Sequence, residues 1–136
     1  MVGDQAHKHE LPSDMIPGGI RSLIWMGVRT DRFDETVTFF RDVMGLRVLH
    51  EAADAAWFML ANGVELHVYG PSDHDHSFFG PGPVVGFEVG DFWPTRAQMI
   101  EAGTEFIGPV QETETRIWNH FRGPDGNIYE IMATKP

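Results

Sequence analysis

The chain has 136 residues, no cysteine, and 20 acidic against 10 basic side chains, giving a formal charge of -10. That length suits one compact domain, able to bury roughly two thirds of its unfolded surface without covalent staples. The missing thiols exclude disulfide frameworks, thiol nucleophiles and Cys-ligated zinc, and the acidity excludes nucleic acid as a partner, because phosphates are bound by neutralising them with Lys and Arg.

No apolar run approaches the roughly eighteen residues of a membrane span, and the first residues contain no apolar leader core. No membrane partner is expected, and the expected location is the cytoplasm. Residues 1–18 mix His, Asp, Pro and Gly without periodicity and predict a flexible arm. His7 and His9 there have metal-like spacing but no third donor fixed beside them.

From Ile20 to Val28 the sequence IRSLIWMGV sets Ile24, Met26 and Val28 against Leu23, Trp25 and Gly27, which predicts a strand buried on both faces. Thr30, Asp31 and Asp34 offer helix caps. Phe33, Val37, Phe40 and Met44 then recur at helical spacing, and Phe39 and Val43 widen the stripe into a heavily buried helix that stops at Gly45. Strands are expected at 47–52, 56–60 and 64–69, with a hairpin at Asn62-Gly63. Residues 70–83, GPSDHDHSFFGPGP, form a link; its His74 and His76 alternate with Asp73 and Asp75, on a loop whose Gly and Pro suit a connection better than a metal site.

The second half repeats this order. A strand at 84–89 leads to a helix from Asp91 to Ala102, with Pro94 in the first turn, where its missing N–H breaks no bond, and Gly103 as the stop. Strands follow at 105–110, 113–122 and 127–133, the last two joined by the turn Pro124-Asp125-Gly126-Asn127. The chain therefore reads as two βαβββ units, roughly 20–70 and 83–134.

The segments TVTFFRDVMGLRV and FRGPDGNIYEI carry a resemblance, over residues 20–134, to the vicinal oxygen chelate superfamily, which contains glyoxalase I, extradiol dioxygenases and bleomycin-resistance proteins. The resemblance implies an α+β fold in which two βαβββ modules form curled mixed sheets around a cavity. It also implies a homodimer, since in that family the units often pair between chains to complete their cavities. Metal-using members take one ligand from the first and fourth strand of each unit. Here the first-strand positions fall on Leu23 and Val84, which cannot bind a metal, and the fourth-strand positions fall on His67 and Glu130, four residues after Gly63 and Gly126; Glu65 shares the parity of His67.

Three chemistries follow. A divalent metal held by His67 and Glu130, helped by Glu65 or Glu88 and with His120 as the nearest further imidazole, has too few donors, so no cofactor is expected and a divalent metal stands as the alternative. His67 and Glu130 could act as an acid/base pair in a lyase or isomerase, or serve a dioxygenase-like reaction on a small oxygen-bearing substrate. The adopted expectation is a binding protein with an aromatic, acidic cavity for an aromatic or cationic small molecule. Its lining would be Leu23, Trp25, Trp57, Glu65, Tyr69, Val84, Glu88, Trp118 and His120.

Overall fold

The computed structural model describes residues 19–136; the expected arm, with His7 and His9, lies outside the described residues. The elements run β1 (Ile20–Arg29), α1 (Phe33–Thr38) continuing into a π-helical turn (Phe39–Val43), β2 (Arg47–Glu51), β3 (Ala55–Met59) and β4 (Glu65–Tyr69). After the link come β5 (Val84–Val89), α2 (Phe92–Glu101), β6 (Glu105–Glu112), β7 (Arg116–Arg122) and β8 (Ile128–Thr134). This is the α+β pattern of two βαβββ modules.

All eight strands join one curled sheet in the order β2-β3-β4-β1-β5-β8-β7-β6. Each unit closes on itself through a parallel pair, β1 with β4 and β5 with β8, and the two units meet through antiparallel β1 and β5. The units thus pair within one chain. The cavity they form therefore closes within the chain.

The two inner hairpins share one geometry. Leu60 N–H donates to the Val64 carbonyl and Gly63 N–H to the Leu60 carbonyl, as Gly123 N–H does to Asn127 and Gly126 N–H to Gly123. Gly63 (φ 89°) and Gly126 (φ 86°) take the left-handed position that closes a three-residue loop, so the first hairpin is one residue longer than a two-residue Asn-Gly turn. This loop length sets the register. Trp57 comes to lie opposite His67, and His120 opposite Glu130.

Strand alternation sorts side chains between two faces. On the outer face Leu66 and Val68 pack with Ala56, Phe58 and the α1 residues Phe33 and Val37, while Ile131 and Ala133 pack with Val89, Ile117 and the α2 residue Phe92. On the inner face Trp25, Tyr69, Val84, Ile128 and Met132 gather with Phe79 of the link. Asn119, fully buried on the outer face, donates to the carbonyls of Ile107, Gly108 and Pro109 and accepts from Arg96, which fixes the irregular step in β6.

The first helix departs from its expected burial. Met44 N–H bonds the Phe39 carbonyl five residues back, and this wider turn rotates the end of the helix away from the sheet. Phe39, Val43 and Met44 are consequently 47%, 71% and 53% exposed. Its N-cap is Arg32 rather than Thr30, Asp31 or Asp34; Asp91 does stand at the N-cap of α2, though without a side-chain capping bond.

Candidate functional site

The inner face encloses a cavity of about 590 Å³ lined from both units and from the link. Trp25, Trp57, His67 and Tyr69 come from the first unit, Gln111, Thr113, Arg116, Trp118, His120, Glu130 and Met132 from the second, and Asp75, His76 and Phe78 from the link. The site is therefore a chamber of aromatic rings interleaved with polar side chains from β4, β6, β7, β8 and the link, the composition expected of a small-molecule pocket.

On the first wall, residues 65, 67 and 69 alternate onto the same face of β4 and bond to one another. His67 Nε2 lies 2.9 Å from Glu65 Oε1, and His67 Nδ1 lies 2.8 Å from the Tyr69 hydroxyl. Arg116 reaches from β7 to Glu65 Oε2 at 3.2 Å, linking the walls. Trp57 stacks on His67 with ring centroids 5.0 Å apart and planes 17° apart. Burial pushes the His67 pKa down against the pull of Glu65, and burial together with the charges of Asp73, Glu130 and Glu65 pushes Tyr69 up.

On the second wall, the register sets His120 beside Glu130, with His120 Nε2 3.3 Å from Glu130 Oε2. The angles do not make a hydrogen bond, and His120 Nε2 and Glu130 Oε1 are buried with no partner among the described residues. Burial raises the Glu130 pKa to about 8 against the opposing charge of Arg116. Burial, with a smaller contribution from His76, lowers that of His120 to about 4. At neutral pH both groups are uncharged, and together they hold one carboxyl proton next to one vacant imidazole nitrogen.

Two glycines make room for this arrangement. A Cβ on Gly27 would lie 2.2 Å from the Trp25 ring, and a Cβ on Gly86 would lie 2.8 Å from Glu130 Oε1. The Trp25 indole thus lies across Gly27, edge-on to both His67 and His120 at centroid distances of 5.2 and 6.3 Å.

The sequence expectations divide against this geometry. His67, Glu130, Trp25, Trp57, Tyr69, Trp118 and His120 all line the cavity, and Glu65 stands behind His67. Leu23 does not line it; irregular pairing between β1 and β5 on either side of Leu23 breaks the expected alternation, leaving it 56% exposed on a separate apolar hollow beside the π-helical turn. Glu88 accepts a hydrogen bond from Ser22 away from the cavity, and Val84 is packed into the core beneath it. His67 and Glu130 occupy equivalent places in the two units but do not pair; each bonds or faces a group on its own wall. Sequence reasoning missed Arg116, which the parity of Trp118 and His120 would have placed on the inner face, and the cavity roles of His76 and Phe78, whose link gives no periodic signal.

A divalent ion does not fit this donor set. Both ring nitrogens of His67 are engaged, the Trp25 indole separates it from His120 and Glu130, and among the described residues no three His, Asp or Glu side chains converge.

The family profile described as Glyoxalase/Bleomycin resistance protein/Dioxygenase superfamily matches residues 22–131. No curated protein sequence matches the chain. Among solved structures, methylmalonyl-CoA epimerase from Mycobacterium tuberculosis is similar with a TM-score of 0.70 at 16% identity, covering 94% of this chain and 95% of that one. A glyoxalase/bleomycin resistance protein/dioxygenase superfamily member from Vibrio splendidus 12B01 gives a TM-score of 0.63 at 18% identity, with coverage of 84% and 98%. A mutant of homoprotocatechuate 2,3-dioxygenase from Brevibacterium fuscum gives 0.67 at 15% identity, covering 88% of this chain but 34% of that longer one. At these identities the likeness is one of fold.

Proposed function

The chain belongs to the glyoxalase/bleomycin resistance protein/dioxygenase superfamily, and from that premise we propose that it binds a small, flat, uncharged organic molecule in the cavity between its two units. The observation that carries this reading is the chamber itself: about 590 Å³, walled by Trp25, Trp57, Trp118, Tyr69 and Phe78, with polar side chains from both units and the link set among these rings. Its inner carboxylates favour an uncharged occupant over a cation. Glu65 is already paired with Arg116 and His67, Glu130 holds its proton at neutral pH, and Asp75, the remaining carboxylate of the lining, is exposed to solvent. Calorimetric titration with flat bicyclic aromatics tests this: saturable binding that Trp57→Ala and Trp118→Ala weaken supports the reading, and no heat from any of them sinks it.

A second reading, proton transfer on the bound molecule, is favoured by the His120–Glu130 dyad. A protonated carboxyl and an uncharged imidazole set side by side can donate and accept a proton near neutral pH, as an isomerase or lyase requires. The expected acid/base partner of Glu130 is then His120, across the hairpin, in place of His67. A pH–rate profile that keeps its shape in Glu130→Gln would contradict it. The exposed side chains of Phe39, Val43 and Met44 support pairing of two chains through that helix end, a reading that sedimentation of the wild type against Val43→Glu checks.

A further inference from the structure

We infer that the Tyr69 hydroxyl is a fixed hydrogen-bond acceptor in the cavity and selects, among flat ligands, those carrying an O–H or N–H donor; this rests on the binding reading above and names the chemistry of the ligand's edge.

The direction is set link by link. Arg116 holds Glu65 from β7 at 3.2 Å, and a carboxylate only accepts. The His67 nitrogen facing it, Nε2 at 2.9 Å, must therefore carry the ring hydrogen. An uncharged imidazole has one such hydrogen, so Nδ1 presents a lone pair, and the Tyr69 hydroxyl 2.8 Å away must donate to it. Burial favours the uncharged ring. The hydroxyl hydrogen is then committed to the wall, and what the phenol oxygen offers the cavity is lone pairs.

Position supports the same conclusion. Tyr69 lines the cavity on the same face of β4 as His67 and Glu65. Its ring is clamped: His76 stacks on it at 3.7 Å between centroids, with planes 12° apart, and Asp73 Oδ2 holds His76 Nδ1 at 2.6 Å. The oxygen cannot turn to reverse its role without breaking either the stack or the bond to His67. A ligand hydroxyl meeting this oxygen gains a hydrogen bond, whereas an ether in the same place sets lone pair against lone pair, which a site built around a directed bond rejects.

The test is calorimetric binding of 2-naphthol and its methyl ether, 2-methoxynaphthalene, which share a ring system and differ in the donor. The wild-type chain should bind 2-naphthol about tenfold or more tightly than the ether. Tyr69→Phe should bring the ratio to within about twofold, because the acceptor is gone. Glu65→Leu keeps the phenol and its bulk but frees His67 to place its hydrogen on either nitrogen, and should reduce the ratio by about threefold or more, which a purely steric preference would not allow. Saturable binding of both probes with equal affinity to the wild type overturns the acceptor while leaving the binding reading standing. A preference that survives both substitutions overturns it as well, and binding of neither probe overturns both readings.

Discussion

On the first wall of the cavity, Glu65, His67 and Tyr69 bond to one another along β4, and Arg116 completes the row from across the chamber. On the second wall, the equivalent position holds Glu130, its cross-strand neighbour is His120, and one polar atom of each is buried without a partner among the described residues. The two walls come from the same βαβββ plan, with the same hairpin loop and the same face of the fourth strand. They differ in polar satisfaction, and that separates their roles: a satisfied row is stiff and presents one fixed oxygen, whereas an unsatisfied pair is costly in the free protein and gains most from a ligand.

The contrast predicts opposite signs for substitutions on the two walls. His67→Leu strips Glu65 and Tyr69 of their partner and should destabilise the fold by about 2–3 kcal/mol in chemical denaturation. The pH dependence of stability comes next. In the unfolded chain His120 and Glu130 take ordinary values near 6.5 and 4.5, against about 4 and about 8 when folded. The depressed His120 makes stability rise with pH between about 4 and 6.5, where the unfolded chain binds the extra proton. The raised Glu130 makes it fall between about 4.5 and 8, where the folded chain does. The two cancel where they overlap, leaving a loss of roughly 2 kcal/mol between pH 6.5 and pH 8 that Glu130→Gln should abolish. A pH-independent free energy of unfolding in the wild type across that window would contradict the second wall's electrostatics.

Replacing the whole second pair, His120→Leu with Glu130→Met, should stabilise the fold by about 1 kcal/mol at pH 8 while weakening ligand binding, because two orphaned groups give way to apolar packing. The same exchange on the first wall should not stabilise. The smallest stability effect belongs to Trp57→Ala: Trp57 is 38% exposed at the edge of the chamber, and its loss should cost under about 1 kcal/mol while lowering the affinity for flat aromatics.

The fold was largely legible in the sequence because its signals are local. Left-handed glycines end the helices at Gly45 and Gly103 and close the hairpins at Gly63 and Gly126, and period-two runs define the strands. The π-helical turn was not legible, since the four, three, four spacing of Phe33, Val37, Phe40 and Met44 reads as an unbroken helix until the Met44–Phe39 bond rotates its end outward. In the site, counting from the hairpin glycines found the equivalence of His67 and Glu130. Counting across the same hairpin would also have set His120 opposite Glu130, a step that needs the loop length and not only the turn residues. Leu23 was misplaced for a different reason: the irregularities in β1 lie on its boundary with the other unit, where nothing local in the sequence marks them.

The most direct measurement is a ¹³C NMR titration of the Glu130 side-chain carboxyl, assigned by its loss in Glu130→Gln. A neutral second wall predicts a midpoint near 8 in the free protein, displaced when 2-naphthol fills the cavity. A midpoint near the ordinary 4.5, indifferent to ligand, would mean that the second wall is neither neutral nor waiting for a partner, and would contradict that prediction.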